Sequence, residues 1–207
     1  MPKVALTQAE RTLAILREQG IARLNELIAA GINQTTVARL TRQGRIVRLT
    51  RGVYQLPDAE LATEHGFAEA CKLVPKGVIC LVSALQFHDL TVQLPRAIWV
   101  AIASSAWMPQ TKRPSLRFVR FGDTTLAEGV EKHKIEGVMV RVTNPAYTIA
   151  DCFRFRSKVG TDVAIEGMRE ALKHRKATGD SIMQAAQHRR IWTKVRPYLE
   201  AMLDHAG

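Results

Sequence analysis

Five arginines, Arg39, Arg42, Arg45, Arg48 and Arg51, recur at every third position of a thirteen-residue stretch that holds no Asp or Glu. Each guanidinium presents a planar fork of donors that suits phosphate oxygens or the edge of a guanine, and no nearby carboxylate in the stretch competes for it. The whole chain leans the same way: 30 Lys and Arg against 19 Asp and Glu give 207 residues a formal net charge of +11. The excess is uneven, since residues 1–56 carry nine basic and three acidic side chains and residues 57–207 carry twenty-one and sixteen. Such a balance speaks for a polyanionic partner, nucleic acid first.

The elements that must hold these arginines can be read from local signals. Thr7-Gln8-Ala9-Glu10 has the form of a capping box, Leu13, Ile15 and Leu16 follow at helical spacing, and Gly20 supplies a stop, which predicts a helix over residues 8–19. A second short helix is predicted over residues 23–30, with Leu24, Leu27 and Ile28 on one face and a tight turn at Gly31. Asn33 is the predicted N-cap of a third helix, residues 34–43, ended by Gly44. On that helix Val37 and Leu40 share one side, while Thr35, Ala38, Arg39 and Arg42 share the other. From Gly44 the period changes to two, with a strand over 46–49, a turn at Thr50-Arg51-Gly52 and a return over 53–56. Three helices followed by a hairpin form a winged helix-turn-helix.

This arrangement predicts a DNA-binding surface. Gln34, Thr35, Thr36, Arg39 and Arg42 fall on the helix that enters the major groove, with Thr35, Arg39 and Arg42 nearest the bases, and Arg45, Arg48 and Arg51 are placed to grip the backbone or a minor groove. Winged units also serve as protein-docking modules, and a basic face can be merely solvated. The absence of acids from this face favours DNA.

Pro57-Asp58 breaks the pattern, so the chain is expected to divide into a winged-helix domain, residues 1–56, and a mixed α/β domain, residues 57–207. The fold class is therefore α+β. In the second domain the patterns predict a helix over 60–73, a strand over 78–82, a helix over 83–87 capped by Ser83, strands over 98–103, 116–121 and 138–142, and a helical end from 162 to 202. Asp151 is expected to hydrogen-bond within a helix or pair with an arginine. The basic clusters at 173–176 and 189–196 fit a wider nucleic-acid footprint and solvated helix faces equally well.

Catalysis finds little support. No Glu is followed by Lys two positions later, as a common nuclease metal site requires, and adjacent His88 and Asp89 point apart in most conformations. No phosphate-binding glycine loop and no paired Cys/His spacing occurs, so neither a cofactor nor a metal is expected. Cys71, Cys80 and Cys152 lie in apolar stretches and are expected to be reduced and buried. No apolar run approaches about 18 residues and no signal-peptide pattern opens the chain, so a soluble cytoplasmic protein with no membrane partner is expected.

Gly44-Arg45-Ile46 and Arg51-Gly52-Val53-Tyr54-Gln55-Leu56, together with the helical pattern before them, resemble the start of the AbiEi family of antitoxins from bacterial abortive-infection systems. Residues 83–91, Ser-Ala-Leu-Gln-Phe-His-Asp-Leu-Thr, and 142–152, Val-Thr-Asn-Pro-Ala-Tyr-Thr-Ile-Ala-Asp-Cys, are similar to segments of that family's second domain. The resemblance implies a non-enzymatic repressor that binds inverted repeats in the promoter of its own operon. It also implies a C-terminal domain that counters a nucleotidyltransferase-like toxin without a stable complex. Two departures stand out: Gln34-Thr35-Thr36 where Arg or Lys is frequent, and His88-Asp89 where His-Gly is frequent. The alternatives are a stand-alone winged-helix transcription factor whose second domain senses a ligand or partner, and a nucleic-acid-processing enzyme with an unrecognised site.

Overall fold

A computed structural model describes residues 6–57, 65–93, 95–109 and 114–204. The chain forms two compact units, one comprising Met1–Pro75, Pro109–Pro114 and Lys134–Val140, the other Lys76–Met108, Ser115–His133 and Arg141–Gly207.

The first unit runs α1 (Gln8–Gln19), β1 (Ile21–Arg23), α2 (Leu24–Ala29), α3 (Gln34–Arg42), β2 (Val47–Thr50), β3 (Val53–Gln55) and α4 (His65–Leu73). The capping box at the start of α1 is formed: the Glu10 amide donates to the Thr7 hydroxyl at 3.2 Å, and the Thr7 amide donates to the Glu10 carboxylate at 2.8 Å. The helix ends at Gly20, whose φ of 68° lies in the region that glycine tolerates. β1, which is too short to show a period in sequence, pairs antiparallel with β3, and β3 pairs with β2, giving the order β1-β3-β2. Leu13, Leu16, Leu27, Ile32, Val37, Leu40, Ile46 and Tyr54 close one core beneath these elements. This is the expected winged helix-turn-helix.

Asn33 occupies the N-cap position of α3, but its side chain makes no capping bond. The acceptor comes instead from α1: Gln8 Oε1 takes the Asn33 amide at 3.1 Å and the Thr36 hydroxyl at 3.0 Å. A cap supplied across the fold satisfies an orphan donor as well as a local one does.

The first compact unit extends beyond Pro57. The Arg23 guanidinium donates to the carbonyls of Lys72 and Leu73, and Lys72 pairs with Glu26 at 2.6 Å, which ties α4 to β1 and α2. The helix expected over 60–73 is observed from His65, its earlier residues lying outside the described ones. Residues 134–140 also count with this unit, and the Glu136-Gly137 turn, with φ of 47° and 73°, comes so near the end of α1 that a Cβ on Gly137 would lie 2.4 Å from Gln19 Cα.

The elements that follow are mixed α/β with a helical end, in the order β4 (Val78–Ile79), α5 (Leu81–Phe87), β5 (Ile98–Ala103), β6 (Leu116–Phe121), α6 (Asp123–Ala127), β7 (Val130–Ile135), β8 (Val138–Thr143), α7 (Pro145–Arg154), α8 (Arg156–Val159), α9 (Thr161–Lys173), α10 (Gly179–His188) and α11 (Trp192–Asp204); all belong to the second unit except the facing ends of β7 and β8, which lie within residues 134–140. The sheet order is β6-β5-β4-β8-β7; β4 runs antiparallel to β5 and parallel to β8, and β5 runs parallel to β6. The apolar run expected to be a strand over 78–82 leaves the sheet after Ile79, because Leu81, at a φ of 52°, turns the chain into α5.

Ser83 does not cap α5. It lies buried inside the helix, where its hydroxyl accepts the Trp99 amide at 2.9 Å, and Cys80 holds the N-cap position. His88 ends α5, with Nε2 2.8 Å from the Thr143 carbonyl oxygen, and Asp89 pairs instead with Lys176 at 3.3 Å. Burial pushes the His88 imidazole below its ordinary pKa.

Candidate nucleic-acid interface

α3 is amphipathic because its two apolar residues, Val37 and Leu40, sit one turn apart and are wholly buried against the core of the first unit. The other side of the helix is open: Gln34, Thr35, Ala38, Arg39 and Arg42 are exposed. Thr35, Arg39 and Arg42, at i, i+4 and i+7, share one stripe of that side. Arg39 and Arg42 occupy the last turn, where the helix dipole favours cations, and α3 has no acidic residue in its first turn.

Thr36 differs from its neighbours. It is half-buried, and its hydroxyl donates to Gln8 Oε1, so it anchors the start of α3 to α1. Gln8 was not among the residues picked from sequence, and no local signal marks it, since its partners lie 25 and 28 positions away.

Arg45 follows Gly44, whose φ is 67° and beside which a Cβ would meet nothing within 4 Å. The Arg45 amide donates to the Leu40 carbonyl at 3.0 Å, closing the end of α3 and leaving the Arg45 side chain exposed. Its charge acts on Glu10: the Thr7 amide bond and then the Thr7 hydroxyl bond hold the Glu10 carboxyl below its usual range, desolvation opposes them, and the Arg45 charge adds the smallest contribution. Arg45 thus acts, weakly, on an acid that the linear stretch did not contain.

Arg48 lies exposed on β2 opposite Tyr54, and the register shifts between Arg48 and Thr50, as at a bulge. Arg51 is exposed at the hairpin turn, where Gly52, at a φ of 76°, reverses the chain. The Gly52 carbonyl accepts the Leu24 amide at 2.8 Å, which fixes the wing to the first residue of α2. Beside this tether Arg23, Asn25, Ile28 and Arg51 border a shallow groove of about 330 Å³.

The basic cluster at 189–196 divides on inspection. Arg189 is 4% exposed; its Nε donates to Asp151 Oδ1 at 2.7 Å and its Nη1 to Glu128 at 2.7 Å, and its guanidinium lies over the Tyr147 ring at 4.6 Å. It is a core cation and has no face to offer a nucleic acid, whereas Arg190, Lys194 and Arg196 are exposed. In the other cluster Lys173 and His174 both approach Glu170, at 3.5 and 3.1 Å, and Lys176 holds Asp89.

Among the described residues no group of three or more His, Cys, Asp or Glu could hold a metal ion. Cys71, Cys80 and Cys152 are buried and form no disulfide, and burial raises the thiols of Cys80 and Cys152 well above their usual pKa. No helix of the described residues is long and apolar enough to cross a membrane.

The first unit is thus a winged helix-turn-helix with an exposed, arginine-bearing third helix. Residues 10–57, which span that unit from α1 through the wing, match the family model of the transcriptional regulators described as AbiEi antitoxin. The match supports a role as an antitoxin or transcriptional regulator. The fold as a whole is similar to the crystal structure of the RV2827C protein from Mycobacterium tuberculosis, with a TM-score of 0.63 and 12% identity, over 97% of this chain and 79% of that one. No curated protein sequence matches the chain.

Proposed function

We propose that the protein is a non-enzymatic, cytoplasmic antitoxin and autorepressor, with the DNA-binding function in residues 1–56 and the toxin-countering function in residues 57–207. The observation that carries the reading is the acid-free, exposed side of α3, anchored from beneath by Val37 and Leu40, in a segment that matches antitoxin regulators.

In this reading α3 docks in the major groove of double-stranded DNA at inverted repeats in the protein's own promoter. Thr35, Arg39 and Arg42 read base edges, and Gln34 meets the groove at the start of the helix. Thr36 holds the register of that first turn through Gln8. Arg45, Arg48 and Arg51 neutralise phosphates or enter the neighbouring minor groove, a contribution that carries no sequence information by itself. The second domain counters a nucleotidyltransferase-like toxin without forming a stable complex with it.

Titration of the protein against its own upstream DNA and a scrambled duplex, at several salt concentrations, tests the proposal. A preference of about 1000-fold or more for the upstream sequence supports an operator reader. Equal affinities with a steep salt slope overturn it, because counterion release alone then accounts for binding. Sequencing the adjacent gene and co-expressing its product tests the second domain: a nucleotidyltransferase-like product whose toxicity the protein relieves supports that part, and an unrelated product or no rescue refutes it.

A further inference from the structure

Within the second unit, α9 and α11 enclose a groove of about 690 Å³, inside the roughly 300 to 1,000 Å³ range of small-molecule sites. Its walls are apolar: Ile165 and Leu172 come from α9, Met202 and Leu203 from α11. Leu203 is 48% exposed although it sits against Gly179, where a Cβ would come within 3.1 Å of it. Apolar side chains held in place yet open to water on this scale mark a binding site rather than an unfinished core.

The polar groups at the groove have one sign. Arg169 and Lys173, four residues apart on α9, border it, and no acidic residue is among the described ones that line it. Lys173 shares Glu170 with His174, at 3.5 and 3.1 Å, while Arg169 makes no ion pair with a described residue. Tyr198 rests its ring on Phe153, with centroids 5.3 Å apart, and its hydroxyl bonds to no described residue. A guanidinium and a phenol are left over at the mouth of an apolar trough.

The geometry points to a binding site for a small amphipathic anion, a carboxylate on a hydrocarbon chain, with the chain along Leu172 and Met202 and the carboxylate at Arg169 and Tyr198. A compact anion such as phosphate would leave the walls wet, and a neutral hydrocarbon would leave the cations unused. A protein partner fits less well, because stable interfaces draw about 20 to 30 residues from each side and this trough is confined to short stretches of two helices. The assignment stands apart from the DNA-binding reading, since no residue of the first unit takes part.

The test is calorimetric titration of the full-length protein with decanoate, kept below its micelle concentration, and with decanol as the neutral counterpart. One decanoate per chain is expected, with decanol weaker by roughly tenfold or more. Arg169→Glu and Ala201→Glu, both at exposed positions of the groove, should each lower decanoate affinity about tenfold or more while circular dichroism stays unchanged. Lys158→Glu alters the net charge by the same amount as Arg169→Glu, at an exposed position of α8 outside the groove lining, and should leave affinity within about twofold. No saturable uptake by the unaltered protein, undiminished binding in the two groove variants, or an equal loss in Lys158→Glu each overturns the site.

Discussion

Replacing Arg189 by Met removes the cation from the most deeply buried ion pair described in the second unit. The Arg189 side chain is 1% exposed and that of Asp151 0%, so the substitution leaves a buried carboxylate without its hydrogen-bonded cation, with only the charge of Arg154 still favouring its ionised form. Breaking a pair of this kind costs about 3 to 5 kcal/mol, and loss of the stacking over Tyr147 and Phe121 adds to it. The cost should depend on pH. Burial already raises the Asp151 carboxyl from 3.8 to about 6, with Arg189 pulling the other way, so removal of Arg189 must raise it further. A group whose pKa is higher folded than unfolded contributes most stability below its unfolded value and loses it as pH climbs toward the folded one. The loss runs at about 1.4 kcal/mol per pH unit within that window. Urea denaturation followed by far-ultraviolet circular dichroism should therefore show the full penalty at pH 8 and one smaller by about 2 kcal/mol at pH 5. Adding Asp151→Asn should recover more than half of the loss at pH 8, because a buried neutral pair leaves no stranded charge. A penalty below about 1 kcal/mol at pH 8, or one that does not change with pH, refutes the account of a charge held by Arg189.

Arg39→Ala or Arg42→Ala should cost about 1 to 3 kcal/mol of operator affinity and relax base preference, whereas Arg48→Ala should weaken operator and scrambled duplex alike and flatten the salt slope by about one, all measured by fluorescence anisotropy. Gln8→Ala deletes the acceptor that serves the Asn33 amide and the Thr36 hydroxyl, so thermal unfolding should report a loss of about 1 kcal/mol. Gly137→Ala and Gly44→Ala form a contrast: both residues have φ near 70°, but a Cβ at Gly137 would collide with Gln19 Cα at 2.4 Å and one at Gly44 meets nothing within 4 Å. Gly44→Ala should cost only the left-handed penalty of about 1 to 2 kcal/mol, and Gly137→Ala clearly more; equal losses in denaturant would show that the close approach is absent.

The elements that the sequence displayed most clearly are those built from neighbours along the chain. The box at Thr7 and Glu10, the stops at Gly20 and Gly44, the alternation into the wing and the runs over β5 and β6 all depend on residues a few positions apart, and their boundaries hold to within one or two residues. Where reading failed, the deciding partner was remote or the segment was charged. β7, Val-Glu-Lys-His-Lys-Ile, passed unnoticed because its apolar residues stand only at its ends. Ser83 was assigned to a cap because such residues usually cap helices, and the amide it serves, that of Trp99, lies 16 residues on.

The candidate interface divides along the same line. Residue types and a 100° rotation per residue were enough to separate Val37 and Leu40 from Thr35, Arg39 and Arg42, because helical geometry is a property of the local backbone. That Thr36 is tied down by Gln8, that the charge of Arg45 reaches Glu10, and that Arg189 belongs to the core and not to a basic surface were settled only when segments 28 to 38 residues apart came together. Charge and periodicity are written along the chain; desolvation and pairing depend on what the folded chain places beside each group, and at Arg189 it placed Asp151.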